Sequence, residues 1–203
     1  MMNARETILQ RVRTALADRP AAPPVVRDYH RAGSRLADVD VFAERVADYR
    51  ATVHRCGASV VQERLSDILR ARSITEIVVP QGFPAEWVPT VRTADEPVSV
   101  EELDRISAVL TTCSLGIEQT GTIVLDAGPG QGPRVLTLVP DYHLVVVRED
   151  QVVAAVPDAV AALDATRPQT WISGPSATSD IELQRVEGVH GPRTLDVLLV
   201  ASA

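Results

Sequence analysis

Four short polar clusters in this 203-residue chain carry residue types that hold an anion or move a proton, and each follows an apolar run. The first is Glu118-Gln-Thr-Gly-Thr122. Thr120 and Thr122 offer hydroxyls, Gly121 allows a close backbone approach, and Glu118 is a candidate nucleophile or general base. A simple turn and a surface carboxylate are the plainer accounts. The second is Pro140-Asp-Tyr-His143. Asp141 and His143 share one side of an extended segment, so they pair as base and orienter or serve as a turn residue and a strand start. The third is Ser173-Gly-Pro-Ser176, continued by Thr178 and Asp180. A strand that breaks into a helix start leaves backbone N–H groups unpaired, which suits an anion. Gly174, Ser176, Thr178 and Asp180 are therefore ligand-binding candidates beside Thr120, Gly121 and Thr122, although Ser and Asp equally cap helices. The fourth is His190-Gly191, where His190 is the second catalytic candidate after Glu118.

Composition removes several chemistries. All 20 basic residues are Arg, so no Schiff-base lysine and no phosphate-loop lysine is available. The net charge of -7 and the scarcity of aromatic residues argue against nucleic-acid binding. Residues 1–35 hold seven Arg against three acids, a balance of +4, which leaves -11 on the remainder. Cys56 and Cys113 are the only cysteines. They lie far apart, and the four His are scattered, so neither a metal site nor a cofactor is expected. A reduced cytoplasmic protein is the simplest reading. No apolar run is long enough to span a bilayer, and the charged start has no apolar leader.

The elements that must position these clusters alternate between helix and strand. Ile8, Leu9, Val12, Ala15 and Leu16 predict an amphipathic helix over 3–17, stopped by a Pro-rich stretch. Residues 1–38 thus read as a helical arm and linker, docked on the body or on another subunit, with 39–203 as the main domain. Within it, helices are expected over 39–56, 62–72, 100–106 and 157–164. Strands are expected at 59–61, 77–79, 108–115, 123–125, 134–139, 143–147, 171–173 and 195–201. Residues 81–97 read as loop, and the Gly-rich stretch 126–133 as a mobile hairpin or lid. Val197-Leu-Leu-Val200 is apolar at successive positions, as a central strand covered on both faces would be. In such a sheet the ligand crevice lies outside the carboxyl ends of the parallel strands, where the first and third clusters are expected to meet, with the second as a further candidate.

Gln119-Thr-Gly-Thr122, Leu138-Val-Pro140 with His143, the run from Ser173 to Glu182, and Gly188-Val-His-Gly-Pro192 together resemble the LUD-domain family, in its lactate-utilisation protein C branch. The likeness covers about residue 40 to the end. It implies a three-layer α/β/α sandwich with a mostly parallel sheet, related to the ribose-5-phosphate isomerase, glucosamine-6-phosphate deaminase and CoA-transferase superfamily. It also implies a part in oxidising L-lactate to pyruvate beside iron–sulfur and oxidoreductase subunits. Where the family pattern has an acid directly before Thr-Gly-Thr, this chain has Gln119, with Glu118 one position earlier. Neighbouring side chains of an extended segment point to opposite faces.

Two functions follow as expectations. One is an accessory subunit of a lactate-oxidising system that binds a small anionic ligand at the strand ends. The other is a stand-alone enzyme of the isomerase or CoA-transferase type, acting on a phosphorylated or CoA-linked carboxylic acid, with Glu118 or His190 as base or nucleophile.

Overall fold

Long apolar runs such as Leu144–Val147 and Val197–Val200 are buried on both faces only if helices or a second sheet cover each side. The computed structural model describes residues 3–18, 23–175, 177–178, 186–187 and 191–202, and it divides into two compact units, 1–30 and 31–203. The first unit contains α1 (Ala4–Ala15), started by a capping box between Asn3 and Glu6. Every further element belongs to the second unit.

That unit runs α2 (Val39–Asp48), β1 (Thr52–Cys56), α3 (Val61–Ala71), β2 (Glu76–Val79), β3 (Arg92–Asp95), α4 (Val100–Leu103), β4 (Ala108–Thr111), β5 (Leu115–Ile117), β6 (Thr122–Leu125), β7 (Tyr142–Arg148), β8 (Val152–Val153), α5 (Val156–Ala162), β9 (Thr170–Ile172), β10 (Ala177–Thr178), β11 (Val186–Glu187) and β12 (Thr194–Val200). Six strands form the main sheet in the order β1-β12-β7-β4-β2-β3. All of its pairings are parallel. As the apolar run at 197–200 predicted, β12 is an inner strand, buried from Leu195 onward.

One face of this sheet packs on α3, where Val61, Leu65 and Leu69 meet Leu110, Leu144, Val146 and Leu198. The other face packs Val145, Val147, Val197 and Leu199 against Phe42 and Val46 of α2 and against Ile123 and Leu125 of β6. Leu103 of α4 joins Val78, Val109 and Leu136. A second sheet, β8-β5-β6-β9, is mixed: β6 runs antiparallel to β5 and β9, and β5 runs parallel to β8. Its far side is closed by Ala159 of α5 against Leu115, Ile117 and Val124.

Several local expectations are corrected. The helix predicted over 39–56 ends at Asp48, Arg50 turns at φ 68°, and residues 52–56 are a strand. The apolar spacing ran on because Val53 packs on the same cluster as Phe42 and Val46. Residues 58–60 are a 3-10 turn leading into α3, not a strand. Within the loop predicted over 81–97, residues 92–95 form the edge strand β3. The strand predicted over 134–139 is a 3-10 turn, closed by Arg134 Nη1 on the carbonyl and hydroxyl of Thr137, both at 2.8 Å. β9 belongs to the second sheet. The Gly-rich stretch 126–133 is stitched down: Asp126 N–H donates to Gln131 Oε1 (2.6 Å), Gly130 N–H to Gln81 O (2.9 Å) and Thr112 N–H to Gly130 O (2.8 Å). Where a helix start was expected after Pro175, Ala177 and Thr178 are extended and pair with Val186 and Glu187. Among the described residues no helix is long and apolar enough to cross a membrane.

Candidate functional site

The first and third polar clusters meet because both lie against the C-terminal half of α2. Gly121 has φ 58°, and a Cβ there would come within 2.6 Å of the Arg45 backbone. Gly174 has φ 81°, and its Cβ would meet Tyr49 O at 2.5 Å. Only glycine fits such left-handed, close-packed positions. With both loops seated, the hydroxyls align: Thr120 Oγ1 lies 2.7 Å from Thr122 Oγ1, which lies 2.8 Å from Ser173 Oγ. The hydroxyls of Thr120 and Thr122 thus lead to Ser173.

Ser173 and Gly174 then form part of the wall of a cavity of about 220 Å³. Among the described residues, its other polar groups are Arg134, Thr137 and His143, and its apolar side is Ile172, Pro175, Pro192 and Leu195. Trp171, 41% exposed, stands at the rim. His143 is the second residue of β7 and Leu195 the second of β12. The cavity therefore opens at the amino ends of these parallel strands, not at the carboxyl ends where it was expected. The second sheet is the reason. Its antiparallel strands bring the start of β6 and the end of β9 together, and that pair faces the beginning of β7.

His143 is the most unusual group here. It is 1% exposed. Its Nε2 lies 2.8 Å from Thr111 Oγ1, and Nδ1 has no hydrogen-bond partner among the described residues. Burial, helped by the positive charge of Arg134, pushes its pKa down to about 3, so the ring is neutral at ordinary pH. Asp141 does not orient it: that carboxylate is exposed and pairs with Arg193 Nε at 2.6 Å. Arg134 has its own pKa lowered by burial, yet a guanidinium stays charged. A neutral imidazole beside a fixed cation and hydroxyls, backed by an apolar wall, can orient a small anion.

Glu118 sits elsewhere. Its buried carboxylate takes two N–H bonds from Arg35, at 2.8 and 2.9 Å, and one from the Asp38 backbone at 2.6 Å. Arg35 holds its pKa below the usual carboxylate range. Gly33 N–H donates to Asp158 Oδ1 (2.7 Å), so residues 33–38 are tied to the body at two points. Glu118 does not line the cavity. Ser176, Asp180 and His190 lie outside the described residues, as does the side chain of Thr178, whose backbone is in β10. Arg134, Thr137 and Thr111 were missed from sequence, since each stood in a stretch read as plain strand.

Comparison with known proteins gives one consistent result. The sequence model of a family described as the LUD domain matches residues 39–200. The chain is similar to a lactate utilization protein C of Deinococcus radiodurans, 45% identical over 174 residues, covering 82% of this chain and 81% of that protein. A protein of the same name from Exiguobacterium sp. is 26% identical over 223 residues, covering 97% and 95%. Among solved structures, the crystal structure of a DUF162 family protein from Deinococcus radiodurans matches with TM-score 0.70 at 39% identity, over 80% of this chain and 95% of that one.

Proposed function

The chain belongs to the LUD-domain family, and from that premise we propose that it serves lactate utilisation as an accessory subunit that holds a small anionic ligand. The ligand site is the cavity bounded by Arg134, Thr137, His143 and Ser173. One observation carries the reading: a buried, neutral histidine with one ring nitrogen spare borders the same small cavity as an arginine. A ring nitrogen without a protein partner, on a residue that lines the cavity, is open to a ligand.

The subunit works beside oxidoreductase and iron–sulfur partners. Two cysteines cannot supply the four thiolates of a common iron–sulfur cluster. Cys113 is buried, with its thiol pushed up to about 12, so it is not a nucleophile at neutral pH. The alternative, a stand-alone isomerase or CoA-transferase, needs Glu118 or His190 as base or nucleophile. Glu118 is held by Arg35, which leaves His190, outside the described residues, as that reading's remaining candidate. Among the remaining candidates, Thr120 and Thr122 serve by orienting Ser173, while Gly121 and Gly174 seat the loops. Affinity capture of the full chain from cells growing on lactate tests the assignment. Co-purification of an oxidoreductase and a subunit with iron–sulfur absorbance is expected, and recovery of neither would contradict it.

A further inference from the structure

The carboxyl ends of the main sheet hold cavities of their own. The chain leaves β2 outward to the edge strand β3, crosses back to β4, and leaves β4 on the other side, toward β7. β2 and β4 are thus neighbours whose onward connections run in opposite directions, the switch point outside which open α/β sheets bind ligands. Here the Gly-rich stretch enters that crevice. Gly130 N–H donates to Gln81 O just after β2, and Gly130 O accepts from Thr112 N–H just after β4. A Cβ on Gly130 would meet Thr112 Oγ1 at 2.7 Å, and one on Gly82 would meet Pro129 Cβ at 2.8 Å. The stretch therefore lies against both strand exits and leaves a cavity on each side, with Gly82 and Pro129 bordering both.

The cavity beside β7 has a volume of about 240 Å³. Trp87 packs on the core cluster of α3 and lines this cavity together with Pro84 and Pro129. Phe83 meets Trp87 at 72° with ring centres 6.4 Å apart, so Phe83 does not stack flat on the indole. Gln151 forms another part of the wall, and both ends of its amide are taken. Oε1 accepts from Arg148 N–H at 3.0 Å, and Nε2 donates to the carbonyls of Cys113 (2.9 Å) and Ser114 (3.3 Å). Arg148, also on the wall, keeps donors to spare. Asp150 takes its Nε at 2.9 Å, while Nη1 and Nη2 have no partner among the described residues. The pair does not cancel at the wall. Burial pushes the thiol of Cys113 up to about 12, and there Arg148 lowers it by more than Asp150 raises it. The field of the two at that point is therefore positive.

We propose that this second cavity binds a flat aromatic carboxylate, its ring against Trp87 and the two prolines and its carboxylate on the outer edge of Arg148. A guanidinium edge with two N–H groups matches the fork of a carboxylate. An indole and proline rings suit a flat apolar ring. The volume leaves room for one ring with its carboxylate. The site is separate from the cavity at His143: His143 is the second residue of β7 and Arg148 the last.

Trp87 and Trp171 are the two tryptophans of the chain, so Trp87 is the sole indole in the full chain carrying Trp171→Phe. Its emission is titrated at neutral pH with benzoate, benzamide and acetate. Benzoate is expected to change the emission saturably and to bind at least about tenfold tighter than benzamide or acetate, the scale of a hydrogen bond to a charged group. Arg148→Gln should bring benzoate down to the level of benzamide, and Arg148→Lys should restore part of the difference. The Arg148 side chain is 49% exposed, so thermal melts of both variants should match the parent. Arg134→Gln should leave benzoate binding unchanged. No saturable response to benzoate, equal binding of benzamide or acetate, or a benzoate affinity that Arg148→Gln leaves intact overturns the proposal. Loss of benzoate binding in Arg134→Gln but not in Arg148→Gln overturns it as well, because the ligand then occupies the cavity at His143, and the anion reading of that cavity stands.

Discussion

Arg35 closes on Glu118 with both terminal guanidinium nitrogens, across 83 residues of sequence, and the Asp38 backbone adds a third donor to the same carboxylate. Asp38 is also the N-cap of α2, its side chain accepting from the N–H groups of Asp40 and Val41. One carboxylate therefore fixes both the segment leading into α2 and the turn that precedes Thr122. Arg35→Ala is expected to lower the melting temperature at neutral pH, and Arg35→Lys to recover only part of it, because the planar fork is lost. The pH dependence has a definite sign. The folded pKa of Glu118 is depressed, so its stabilisation is present above the ordinary glutamate range near ~4.3 and is lost as pH falls through the folded value. Thermal melts of wild type and Arg35→Ala should converge in acid. A gap that stays constant as the pH falls below that range would contradict the assignment.

A second buried carboxylate organises the opposite face of the main sheet. Asp196 of β12 accepts from Arg72 Nε (2.8 Å) and Nη2 (2.5 Å) and from Tyr142 Oη (3.0 Å), with His54 Nε2 at 3.1 Å. Burial alone would raise its pKa, but these hydrogen bonds and the Arg72 charge together bring it below the usual value. The Arg72 guanidinium also lies 5.0 Å from the Tyr142 ring centre. Asp196→Asn leaves Arg72, whose side chain is 35% exposed, without its counter-charge. The expected loss is about 1–2 kcal/mol, below the range for breaking a fully buried pair, because water screens the charge that remains on Arg72. Denaturant unfolding at pH 7 measures it, and a change under about 0.5 kcal/mol would show that the network is ornamental.

His143 makes acid costly. Its folded pKa is about 3, against roughly 6.5 in an unfolded chain. Above the unfolded value both states are neutral and the group contributes nothing to the pH dependence. As pH falls below it, the unfolded chain binds a proton that the folded chain refuses, so stability declines by about 1.4 kcal/mol per pH unit until the folded value is reached. The ring resonances of His143 should stay flat from pH 8 to 5. A midpoint near the unperturbed value would remove both the buried environment and the neutral donor from the account.

The inner position of β12 was legible because Val197 to Val200 are apolar on successive positions, a pattern that only a doubly covered strand satisfies. α3 was legible from its periodicity, within a residue or so at each end. The meeting of Thr122 with Ser173 was foreseen from the polar clusters, though not the helix that enforces it, since the close approach of Gly121 to Arg45 and Gly174 to Tyr49 depends on a packing that no local pattern encodes. Strand direction is equally silent in a one-dimensional string, and for that reason the cavity was expected at the wrong end of the sheet. Arg134 was hidden in the mostly apolar run Arg134-Val-Leu-Thr-Leu-Val139, which was read as a strand although residues 134–137 fold as a turn. Arg35 was read as part of a basic arm, because nothing local to it names a carboxylate so far along the chain.

The central claim is that Arg134 and His143 together make an anion site. Its most direct test is the titration of Trp171 emission with 2-oxopropanoate in the Trp87→Phe chain, with and without Arg134→Gln. Trp171 and Arg134 border the same cavity, so binding should change the emission saturably. Removing the cation should weaken binding at least about tenfold, in keeping with about 1.5–3 kcal/mol for a hydrogen bond to a charged group. A saturable response of unchanged affinity in Arg134→Gln, or no response in either chain, would contradict the account.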